Sequence, residues 1–93
     1  CASLSKVELP NTGNVTNMYG MFWGCTSLTK VELPNIGNVK DMSGMFKGCS
    51  NLLQNFSNWN VKGKGKVDMF YGCTKMENAY KKGNDIYPNG YEQ

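Results

Sequence analysis

Apolar and polar residues alternate in two short, nearly identical runs. In Thr29-Lys30-Val31-Glu32-Leu33, the apolar Val31 and Leu33 alternate with the charged Lys30 and Glu32, and Leu4, Val7 and Leu9 repeat that pattern earlier in the chain. A period of two is that of a strand buried on one face. Pro10 and Pro34 follow at once; each lacks the N–H needed to continue pairing, and the Asn-x-Gly that comes next completes a turn. Beyond it, Val39, Met42, Met45 and Phe46 recur at helical spacing, which predicts one or two helical turns. Gly44 weakens that expectation, since glycine costs a helix about 1 kcal/mol against alanine, while Gly48 is placed to supply a left-handed cap.

These elements recur. Cys1, Cys25, Cys49 and Cys73 are spaced 24 residues apart, and residues 1–24 and 25–48 are near copies. Residues 49–72 keep Leu52 and Met69-Phe70-x-Gly72 but lose the Lys-Val-Glu-Leu-Pro block, and residues 73–93 drift away as an irregular cap. Each unit has an apolar face that only a neighbour can cover, so the pattern predicts a single domain over 1–93 built as an α/β repeat solenoid. Short parallel strands would lie on one face and short helical turns on the other. Stacking would place the cysteines in one column of the core, with further columns at Leu4, Leu28 and Leu52, at Met21, Met45 and Met69, and at Phe22, Phe46 and Phe70. The outward strand residues Ser5, Lys6 and Glu8 would align with Thr29, Lys30 and Glu32 and then with Leu53, Gln54 and Phe56. Lys6, Glu8, Lys30, Glu32, Gln54 and Phe56 thus form the candidate binding face.

The pattern C-x-x-L-x-x-V-x-L-P followed by N-V-x-[ND]-M-x-G-M-F-x-G-C resembles the BspA-like leucine-rich repeat surface proteins, related to the Treponema-type repeats, and the repeats of mycoplasma surface lipoproteins. It is clear over residues 1–48 and continues, degraded, to about residue 76. The resemblance implies a leucine-rich-repeat-like fold and an extracellular, bacterial cell-surface location. It also implies adhesion to host proteins or other cells through an extracellular protein or glycoconjugate partner. No catalytic residues carry over, because the pattern defines scaffold positions.

Composition narrows the chemistry. The chain has 93 residues, a net charge of +3 from lysine alone, and no histidine. Without histidine the common general base is missing, as are the Ser-His and Cys-His pairs, and no glycine-rich phosphate loop follows a strand; an enzyme is not expected, and no cofactor is. The mild lysine excess is weak support for a nucleic-acid partner, and none is expected. No apolar run approaches 18 residues, so no transmembrane segment is expected. Four cysteines in a straight column do not match the clustered ligands of a zinc site, which leaves buried thiols or disulfides, with the thiols preferred. Acylation of Cys1 is a further reading, opposed by its place in the repeat register. Its end of the array, an open sheet edge, is a site for edge-to-edge self-association.

Other residues carry paired readings. Lys62, Lys64 and Lys66 alternate with glycine as a solvated loop or a mobile basic finger. Trp23 shares its repeat position with Lys47 and Tyr71, which points to an exposed site, and Trp59 either plugs the irregular third copy or stands exposed. Glu8 and Glu32 are expected to pair diagonally across the sheet with Lys6 and Lys30.

Overall fold

The structure is a computed structural model that describes residues 3–91. Two strands, β1 (Lys6–Glu8) and β2 (Lys30–Glu32), pair in parallel with Lys6 opposite Lys30 and Glu8 opposite Glu32. The helix α1 spans Thr74–Lys81. These are the regular elements among the described residues.

That result corrects the expected α/β repeat solenoid. Two three-residue strands and one helix near the C-terminal end do not make alternating walls of strands and helical turns, and the chain is not a repeat solenoid. The reason lies in where the N–H groups go. An α-helix ties each N–H to the carbonyl four residues back. Here Met45, Lys47 and Cys49 instead donate to Met42, Gly44 and Phe46, three residues back, while the intervening Gly44, Phe46 and Gly48 donate sideways to Val67, Met69 and Tyr71. The segment is therefore a run of tight turns bonded to the segment 24 residues on. Gly48 has φ of +79°, a left-handed conformation that strains any residue with a side chain, although a Cβ there would make only ordinary contact with the backbone of Gly24 at 3.7 Å. The same geometry stops a helix at this point.

The third copy fails to form a strand because a side chain takes the strand's place. Gln54 Nε2 donates to the Val31 carbonyl at 3.1 Å, and the Val31 N–H donates to Gln54 Oε1 at 2.8 Å. One amide thus satisfies both edge groups of Val31, as a neighbouring peptide would. Thr12 does the same for Asn35, accepting from its N–H and donating to its carbonyl. Gln54→Glu keeps the shape but loses the donor, leaving a carboxylate against a carbonyl. We expect it to destabilise the fold by about 1–3 kcal/mol at pH 7, read as the urea midpoint, and to recover near pH 3 when the acid regains a proton. An unchanged midpoint at pH 7 would show that the amide bridge is dispensable.

The core sits between the strand pair and the turns. Leu28, Leu52, Met45, Met69, Phe46 and Phe56 are fully buried, with Phe22, Phe70 and Met76 beside them. In the first copy, Leu4 and Met21 are 38% and 41% exposed, unlike their buried equivalents Leu28 and Met45. The second copy differs because it lies between two hydrogen-bonded neighbours, accepting bonds from residues 18–24 and donating them to 65–71. Cys49 and Cys73 are buried free thiols, whereas Cys25 is disulfide-bonded, so the preferred reading of thiols throughout is corrected at that position. Cys1, with its proposed acylation and its end's self-association, lies outside the described residues.

Candidate functional site

Four of the six residues expected on the binding face stand together on the strand pair. The alternation of β1 and β2 turns Val7 and Val31 inward and leaves Lys6, Glu8, Lys30 and Glu32 exposed. Each strand carries its own ion pair. Lys6 Nζ lies 2.9 Å from Glu8 Oε1, and Lys30 Nζ lies 3.4 Å from Glu32 Oε1. The pairing therefore runs along each strand rather than diagonally between strands as expected, because residues two apart on one strand share a face. The hydrogen bond to Glu8, reinforced by its charge, raises the pKa of Lys6, and the same contact lowers that of Glu8. Both pairs are open to water and are weakened by salt, so they order the face more than they stabilise it.

The remaining two residues are placed differently. Gln54 is half-buried, its amide committed to the edge of β2. Phe56 is fully buried, a correction to its expected place on the exposed face. The expectation counted outward positions as though a strand continued through 52–56, but the third copy is not a strand, so the alternation does not hold there. Phe56 packs against Phe46 with ring centroids 5.4 Å apart and edge-on to Trp59 at 4.8 Å.

Beside the ion pairs lies an open groove of about 530 Å³, lined by Glu8, Leu9, Pro10, Glu32, Leu33, Pro34 and Trp59. Its apolar floor comes from the Leu-Pro step that ends each run, and its rim carries two carboxylates. Trp59 combines its two sequence readings. It is half-buried, plugging the third copy against Phe46 and Phe56, and its remaining surface lines the groove. Read from the sequence, Pro10 and Pro34 are strand terminators; that they also line the groove was missed. The available signal was that both sit in register beside the exposed pairs.

Elsewhere, the lysine-glycine stretch is tethered by backbone and side chain: the Gly65 N–H donates to the Lys40 carbonyl at 2.8 Å and the Gly65 carbonyl accepts from the Met42 N–H at 2.7 Å. Lys64 Nζ donates to the carbonyls of Val39 at 2.6 Å and Gly37 at 3.2 Å, so it clamps the preceding copy's turn and is not a mobile finger. Trp23, Lys47 and Tyr71 form a surface column in which the Lys47 ammonium sits 4.5 Å from the Trp23 ring centre and 5.4 Å from that of Tyr71, with Asp68 3.7 Å away. The cation is thus already occupied by aromatic faces and a carboxylate. Among the described residues no cluster of three or more potential ligands is placed to hold a metal, and no helix is long and apolar enough to cross a membrane.

No curated protein and no solved structure matches the chain. A family model does match, over residues 1–86, and its description is that of a mycoplasma protein of unknown function, DUF285. By that match, which covers most of its length, the chain belongs to the DUF285 mycoplasma family.

Proposed function

We propose that the chain is a binding module of a mycoplasma-type cell-surface protein, acting without catalysis, and that its strand face engages an extracellular protein. The observation that carries this reading is the juxtaposition of the paired Lys6–Glu8 and Lys30–Glu32 with the groove floored by leucine, proline and Trp59. An apolar trough beside ordered charges suits an extended peptide segment, whose side chains fill the trough while its polar groups meet the rim. The resemblance to BspA-like and mycoplasma surface repeats is what supports the extracellular location.

The test is surface plasmon resonance of the chain against fibronectin, laminin and type IV collagen. Exchanging the charges in one variant, Lys30→Glu with Glu32→Lys, preserves net charge and the intrastrand pair. We expect saturable binding by the parent chain and a loss of about tenfold in the variant, with unchanged circular dichroism. Equal binding by both would remove this face from the interface. The second reading is a structural spacer, favoured by the identical Lys-Val-Glu-Leu-Pro of the first two copies, since a face tuned to one ligand tends to diversify. It predicts a folded chain that binds none of the three.

A further inference from the structure

The C-terminal part meets the end of the third copy in an arrangement that the strand face does not require. Four of the chain's five tyrosines, Tyr71, Tyr80, Tyr87 and Tyr91, line one open cleft of about 630 Å³, within the size range of small-molecule sites. It shares no lining residue with the groove beside the strands. Helix α1 supplies Tyr80 to the wall and Glu77 and Lys81 to the rim, because positions three and four apart fall on one side of a helix.

The rings hold one another in place. Tyr87, only 6% exposed, meets Tyr80 edge-on at 5.6 Å and stacks with Tyr91 at 5.3 Å, and Phe70 backs both Tyr87 and Tyr91 edge-on. Covering the end of the core accounts for Tyr87. It does not account for Tyr80 and Tyr71, which remain 43% and 65% exposed while lining the cleft. Tyr80, an exposed ring held against Tyr87, offers a recognition surface at small entropic cost, since a Tyr side chain has few torsions to freeze, and Tyr71 extends that surface from the Lys47 column.

The rim decides the charge of the occupant. Glu77 and Lys81 pair at 3.0 Å, so the carboxylate and ammonium largely cancel and a net charge on the ligand gains little. What the rim offers is hydrogen bonding of both senses: acceptors on Glu77, donors on Lys81, and phenols that do either. A molecule with an apolar C–H face for the rings and a border of hydroxyls for the rim matches both features. We infer that the tyrosine-lined cleft between α1 and the C-terminal segment binds a neutral pyranose sugar. This site is independent of the strand-face reading, and either can fail without the other.

The test is an NMR titration of the full chain with lactose, maltotriose and chitotriose, with sialyllactose and choline as anionic and cationic comparators. The ring signals of Tyr80 and Tyr91 are followed. At least one neutral sugar is expected to shift them saturably. Tyr80→Ala, at an exposed position, should weaken that binding by about fivefold or more, while Tyr80→Phe, which keeps the ring, should stay within about twofold. A desialylated glycoprotein, before and after enzymatic removal of its glycans, separates a conjugated glycan from a free sugar as the source. Binding lost with the glycans supports the inference as well. It is overturned if none of the neutral sugars and neither glycoprotein form shifts those rings, if a charged comparator binds more tightly, or if Tyr80→Ala binds like the parent with its helix intact.

Discussion

Phe46→Ala is expected to remove about 3–5 kcal/mol of stability, the usual cost of truncating a buried phenylalanine. Phe46 has no exposed surface and lies at the centre of the ring packing. It stacks on Phe22 at 5.7 Å and on Phe70 at 5.3 Å, and meets Phe56 at 5.4 Å and Trp59 at 6.1 Å. Truncation therefore loses the transfer energy of one ring and also the ring contacts with four others, each worth about 0.5–1.5 kcal/mol beyond area burial. A small domain has only about 5–15 kcal/mol in total, so a large share of the folded population is at stake. The comparison is Val67→Ala, where the side chain is 73% exposed and the expected change is within about 0.5 kcal/mol. Chemical denaturation of both variants checks the claim. Equal midpoints would mean that the phenylalanine column is not what holds the fold.

The second large effect is loss of stability in alkali. Cys49 and Cys73 are buried, and their thiols donate to the carbonyls of Phe22 and Phe46 at 3.0 Å. Burial pushes the Cys49 thiol from 9.0 up to about 11 and the Cys73 thiol up to about 12, and it pushes the Tyr87 phenol from 10.0 up to about 12. In each case the folded state holds its proton more tightly than the unfolded chain does. The corresponding stability is fully present below the ordinary values near 9 and 10, and it is lost as pH rises through the folded values of about 11 and 12. We expect the thermal midpoint to fall by about 10 °C or more between pH 8 and pH 11. Cys49→Ala should lower stability at neutral pH yet flatten the alkaline slope. A slope as steep as that of the parent would show that this thiol does not contribute to it.

Sequence reasoning reached some of these positions and missed others for identifiable reasons. The 24-residue period is enough to align Leu28 with Leu52 and Phe22 with Phe46 and Phe70, because equivalent residues in hydrogen-bonded copies meet equivalent surroundings. The strands themselves were legible from two short alternations, and the parallel register follows from the same period. The turns were misread as helical because Val39, Met42, Met45 and Phe46 all point inward, and an inward set at that spacing is what a helix also produces. Gly44 and Gly48, with φ of +65° and +79°, were the contrary evidence in the sequence. The roles of Gln54 and Lys64 were not legible, since each satisfies backbone groups about 23 to 27 residues away and no local pattern marks such a contact. Phe56 was misplaced as a consequence, by extending a strand that Gln54 replaces. Helix α1 was passed over in the decaying C-terminal part, although Glu77 and Lys81, which pair at 3.0 Å, already had the spacing of an i,i+4 pair.

The same structure that buries most of Trp59's neighbours leaves part of its indole on the groove, and this makes the residue a natural reporter. The chain has two tryptophans: Trp59 on the groove beside the strand face, and Trp23 on the separate surface column with Lys47. Incorporating 5-fluorotryptophan gives one fluorine at each place. Fluorine NMR of the labelled chain, titrated with whichever of fibronectin, laminin or collagen it binds, is the most direct measurement of the proposed interface. The account predicts that the Trp59 signal shifts or broadens saturably while the Trp23 signal does not, and that the charge-exchanged strand variant suppresses the change. A response confined to Trp23, or a folded chain whose two signals ignore all three proteins, would contradict it.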